Sequence, residues 1–124
     1  MKKDAVRLLV NYRRIYNDFQ KMNPEDKEYN SAKRYIDTMD MYFSKLDDAE
    51  LPETNFLEKS KLTTNQLKQL YSDVLKLAYL SGEYKSSLEM IAVIKEKYGV
   101  TFSASRFTLL KECSVKFFSS VLPD

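Results

Sequence analysis

The sequence predicts an all-α protein of about five helices, and three observations carry that expectation. Apolar residues recur at three- and four-residue steps along most of the chain, the spacing of amphipathic helices. Gly occurs only 2 times and Pro only 3 times in 124 residues, too few turn formers for a β-rich fold. Thr63 with Gln66, and Ser86 with Glu89, each have the three-residue spacing of a capping box, which marks helix starts. A chain of this length, 44% hydrophobic and without low-complexity tracts, is expected to form a single domain, 1–124.

The first helix, about 3–21, places Ala5, Leu8, Leu9, Tyr12, Ile15, Tyr16 and Phe19 on one stripe. In "MNPED", Asn23 can cap, Pro24 suits the first helical position and Glu25 and Asp26 suit the positive helix start. The second helix is therefore expected over 24–47, with Tyr29, Ala32, Tyr35, Ile36, Met39, Tyr42, Phe43 and Leu46 inward. Together these make an N-terminal helical hairpin, 3–47. Periodicity then fails, and Pro52 lies in a connector, 48–62.

The remainder, 63–122, reads as a helix-turn-helix-like trihelical unit. Its first helix carries Leu67, Leu70, Tyr71, Val74, Leu77 and Ala78 and ends near Gly82. The next starts after Ser86, carries Leu88, Ile91, Ala92, Ile94 and Tyr98, and closes at Gly99. Ser103 is expected to cap the last helix, with Phe107, Leu110, Ser114, Phe117, Phe118 and Val121 inward. Two helices joined by a few residues, with a third before them, is how helix-turn-helix domains are built.

Several chemistries lack their residues. Without His and with Cys113 alone, the usual zinc ligand sets and the Ser-His-Asp or Cys-His mechanisms cannot be assembled. Gly82 and Gly99 are isolated, so no phosphate-binding glycine loop exists. The pairs Asp37 with Asp40 and Glu25 with Glu28 lie one helical turn apart, yet no further acid joins them, and a solvated helix face is the simpler reading. The expectation is a protein that is not an enzyme, with no cofactor and no catalytic or metal site. The single Cys fits a reducing compartment. Met1 to Leu9 is charged, unlike a secretory leader, and no apolar run is long enough to span a membrane. A cytoplasmic location and no membrane partner follow as expectations.

What remains is basic charge. The net charge is +2, but residues 59–116 hold ten Lys or Arg against five acids, a bias compatible with a polyanion. On the last two helices Lys95, Lys97, Arg106 and Lys111 supply cations, and Ser103, Ser105 and Thr108 supply short polar groups. Such residues at the start of an outward-facing helix are what phosphate and base-edge contacts need. Arg13 and Arg14 on the first helix are candidates for a distal phosphate clamp, and equally for a solvated flank or a cross-helix pair with Asp37 or Asp40. A bundle helix simply capped by Ser103 accounts for the same residues, and the sequence leaves both readings open.

The stretch "YLSGEYKSSLEMIAVIKEKYGVTFSASRFTLLKECSVKFFSSVL" resembles a divergent sigma-factor region 4 type of helix-turn-helix, in the layout of phage late-transcription activators of the ArpU and RinA group. The matching features are Tyr79 to Gly82, then Ile91 and Ala92, then Gly99 followed by Ser103, with Lys111, Lys116 and Phe117 in the closing stretch. "LLVNYRRI" near the start is similar to a short Tyr-Arg-Arg helix of ArpU-like proteins. The step from Ala92 to Gly99 is longer than in that group, and the last helix is poorer in Arg and Lys. The resemblance implies a small DNA-binding transcriptional regulator, encoded by a phage or mobile element, with residues 103–112 in the major groove of double-stranded DNA. A host protein such as RNA polymerase is a further candidate partner. A two-helix hairpin alone has a thin core, so it either packs back across the connector onto the C-terminal unit or pairs with a second copy, and a homodimer through 3–47 is the favoured expectation. The rival reading is a helical protein-binding module, such as a phage-encoded inhibitor of a host protein or a bacteriocin-immunity-like bundle. A polar outward face from Ser103 to Glu112 favours DNA, and exposed Phe102, Phe107 or Leu109 favours a protein partner.

Overall fold

The computed structural model describes residues 4–51, 62–80 and 86–123. Among them the protein is all helical, with no strand: α1 (Ala5–Gln20), α2 (Tyr29–Lys45), α3 (Thr64–Leu75), α4 (Ser87–Tyr98) and α5 (Ala104–Ser119). A π-helical turn, Lys76–Leu80, continues α3.

Local chemistry explains most of the boundaries. The Asp4 carboxylate accepts from the Arg7 N–H and starts α1. Thr63 and Gln66 form a complete capping box, each side chain accepting the other residue's N–H at 3.2 and 2.9 Å. Ser86 accepts from the Glu89 N–H to open α4, and Ser103 accepts from the Arg106 N–H to open α5. Gly99 closes α4 in the left-handed region, with φ 72°.

The start of α2 differs from expectation. Asn23 does not cap a helix there. Its N–H donates to the Asp26 carboxylate at 2.8 Å and its carbonyl accepts the Asp26 N–H at 2.9 Å, so "NPED" closes on itself as a turn. The helix begins at Tyr29 instead, with Glu28 as an N-cap that makes no side-chain bond. Gly82 and most of the 48–62 connector lie outside the described residues.

α1 and α2 run antiparallel, as their contacts at both ends require. The Tyr35 hydroxyl donates to the Leu8 carbonyl at one end. At the other, the Phe19 and Tyr29 rings lie 4.9 Å apart. The pair does not stand alone. α1 packs on the π-turn and on α5, and the Phe43 ring meets Phe118 of α5 at 5.0 Å. α3 lies along α5, with Tyr71 and Phe117 rings 5.7 Å apart. α5 is thus the central helix, its Phe107, Leu110, Phe117 and Phe118 no more than 1% exposed.

One core cluster takes buried residues from all five helices. Of the expected hairpin stripes, Tyr12 and Tyr42 are buried, and Tyr16, Phe19, Tyr35 and Phe43 are half-buried against this core. Those faces are therefore covered within the chain, and the thin-core argument for pairing of copies through 3–47 no longer applies. In α4 the inward face is Met90, Ile91 and Ile94, whereas Leu88 is 75% exposed and Ala92 is also outside.

Candidate nucleic-acid interface

The α4–turn–α5 unit is shaped by its caps. With Gly99 in the left-handed region, its N–H reaches back to the Lys95 carbonyl at 2.9 Å and the chain leaves the helix axis sharply. Five residues, 99–103, then lead into α5, where the Ser103 hydroxyl holds the first turn.

At about 100° per residue, Ser105, Thr108, Leu109, Glu112 and Lys116 share one side of α5. All five are exposed, opposite Phe107, Leu110, Ser114, Phe117 and Phe118. Arg106 lies on one flank of this stripe and Lys111 on the other, both half-buried. Phe107 is in the core, Phe102 is half-buried and Leu109 is 49% exposed, so the outward face is polar around a single apolar residue.

The expected contact residues have different fates. Lys95 is exposed on α4. Lys97 is engaged, its ammonium 2.6 Å from the Asp73 carboxylate and 5.5 Å from the Tyr98 ring centre. Ser103 is the cap, and its hydroxyl lies 3.3 Å from that of Ser105. The Thr108 hydroxyl donates to the Ala104 carbonyl at 3.1 Å. Lys111 places its ammonium 5.8 Å from the centre of the Tyr79 ring, a cation–π contact. Arg13 does not present itself as a phosphate clamp: its guanidinium donates to the Ala78 carbonyl at 3.0 Å, between α1 and the π-turn. Arg14 is exposed on α1, and its charge opposes the rise that burial gives the Tyr35 hydroxyl pKa. Arg13 and Lys111 therefore meet the same π-turn from two helices, while Lys95, Ser103, Ser105, Thr108 and Leu109 lie on the outer surface.

Asp73 organises a cluster that the charge count alone did not reveal. It accepts from the Tyr98 hydroxyl at 2.5 Å as well as from Lys97, tying α3 to the end of α4. Burial, then the hydrogen bond and charge of Asp73, push the Tyr98 hydroxyl well above the ordinary tyrosine range. The sequence signal was that Asp73 is the one acid between Lys59 and Gly82. Beside it, Leu77, Val93, Ile94 and Tyr98 line an apolar hollow of about 220 Å³, rimmed by Lys76 and Lys97. A larger groove of about 560 Å³ between α2 and α3 is polar, lined by Ser44, Asp47, Asn65, Lys68, Gln69 and Ser72 among others.

Among the described residues no group of three acids or cysteines is placed to hold a metal ion. No helix among them is long and apolar enough to cross a membrane. Comparison with protein-family models, curated proteins and solved structures finds no match to this chain.

Proposed function

We propose that the chain is a small DNA-binding regulator that reads double-stranded DNA with the N-terminal half of α5. The observation that carries this reading is the outward stripe Ser105, Thr108, Leu109 and Glu112 with a cation on each flank, Arg106 and Lys111. Short side chains let a helix approach base edges in the major groove, and flanking cations meet the phosphates on either side. Ser105 and Thr108 offer hydroxyls, and the Glu112 carboxylate accepts from exocyclic amino groups. Lys95 adds a third phosphate contact from the end of α4. Origin in a phage or mobile element, and contact with RNA polymerase, belong to this reading through the resemblance to the ArpU and RinA group.

The experiment is selection of bound sites from a random duplex pool, followed by fluorescence anisotropy at several salt concentrations. Three phosphate contacts predict a log–log salt slope of about −3. Removing Arg106 and Lys111 together should weaken binding and bring the slope toward about −1. An unenriched pool, or affinity unchanged in that variant, overturns the proposal.

A second reading, a helical protein-binding module, is favoured by one observation. Val93 is 39% exposed beside the apolar hollow between α3 and α4. In that case Val93→Asp would abolish partner binding, and Arg106→Ala would leave it unchanged.

A further inference from the structure

The end of α3 does not follow the period that its own sequence sets. Leu67, Leu70, Tyr71, Val74 and Leu75 are all buried at α-helical steps, and the same steps bring Leu77 and Ala78 inward next. Lys76–Leu80 instead widen into a π-turn, whose Leu77, Ala78, Tyr79 and Leu80 are only half-buried against the core. A π-turn holds one residue more per turn than an α-helix and persists where neighbours stabilise it. Here the neighbours are identifiable. The Arg13 guanidinium, from α1, donates to the Ala78 carbonyl at 3.0 Å. From α5, the Lys111 ammonium sits 5.8 Å from the Tyr79 ring centre.

We infer that Arg13 latches the end of α3 in the π register, and that releasing it lets residues 76–80 pass to the α register their sequence also encodes. The two registers use the same residues with different acceptors, i−5 in the π-turn and i−4 in the α-helix. The effects of the change are local and twofold. Leu77 lines the hollow between α3 and α4, so a new register reshapes that wall. Tyr79 lies against Lys111 on the flank of α5, so a new register also changes that cation–π contact. The turn thereby links α1 to both surfaces, whichever of them meets a partner.

Scalar couplings across hydrogen bonds in the full-length chain identify each acceptor directly and test the latch. The wild type should show an i−5 coupling for the Leu80 amide, whereas the Lys76 amide at the start of the turn bonds the Ser72 and Asp73 carbonyls. Arg13→Ala should add i−4 couplings there and speed amide exchange at 76–80 by about tenfold or more, with α5 unaffected. Arg13→Lys, which keeps the charge and a donor but not the planar fork, should give a smaller change in the same direction. Unaltered i−5 couplings and exchange in both variants overturn the inference. So does an unfolded Arg13→Ala protein alongside an unchanged Arg13→Lys register, because the arginine would then support the whole fold and not the turn.

Discussion

Gly99 adopts φ 72°, and a Cβ built there would meet nothing within 4 Å. Space is not the constraint, so only backbone conformation should penalise a side chain. Gly99→Ala is expected to cost about 1 kcal/mol and Gly99→Asn less, since Asn tolerates the left-handed region; urea unfolding measures both. Tyr98 makes the other residue-scale prediction. Its hydroxyl pKa is raised in the fold, so between the ordinary value near pH ~10 and the raised one the native state holds more protons than the unfolded chain. Its contribution is fully present below that window and lost as pH rises through it. Tyr98→Phe should flatten the alkaline fall in stability, while the rises at Tyr12, Tyr35 and Tyr79 leave the remainder of the fall in place. An alkaline limb identical to wild type would show that the buried Tyr98 hydroxyl does not contribute to it. The roles of Gly99, Ser103 and Thr63 were legible in the sequence because a cap acts within three or four residues. The Asp73 partnership was not, because Lys97 and Tyr98 come from another helix.

Among the elements, α5 carries the core, and the consequence is quantitative. Phe117 is fully buried and touches Tyr71, so Phe117→Ala should cost about 3–5 kcal/mol. Leu88 was expected inside on the α4 stripe, yet it is 75% exposed, so Leu88→Ala should stay within about 0.5 kcal/mol of wild type. A pair of urea titrations compares them, and a large loss at Leu88 would mean that a partner or a further segment covers it. "SLEMIAVI" explains the misplacement: six of its eight residues are apolar, and such a run fits more than one helical face. The start of α2 was missed for a different reason. Asn, Pro and two acids in a row suit both a helix start and a closed turn, and the bond from the Asn23 N–H to Asp26 selects the turn. The π-turn was illegible because its register depends on Arg13, 65 residues away.

At the scale of the whole molecule, the question is what covers the aromatic stripes of α1 and α2. The Tyr42 and Phe43 rings lie 6.4 and 5.0 Å from Phe118, and α1 rests on α5 and on the end of α3. Those faces are occupied by the same chain, and a second copy gains little by approaching them. Sedimentation equilibrium at tens of micromolar should accordingly return a mass near 14.6 kDa. The shared core makes a second demand. If α1 and α2 are held by Phe118 and the end of α3, they cannot melt separately from α3 and α5. Far-ultraviolet circular dichroism, which follows all helices, and near-ultraviolet tyrosine signals should therefore give coincident urea transitions. Phe118→Ala, placed where the two halves meet, should lower the common midpoint without splitting it. Two resolved transitions in the wild type would mean that the contacts of Phe118 do not couple the halves. A dimer mass would point to the exposed apolar residues instead, Val6, Val10 and Met41 on the hairpin or Leu88, Val93 and Leu109 on the last two helices.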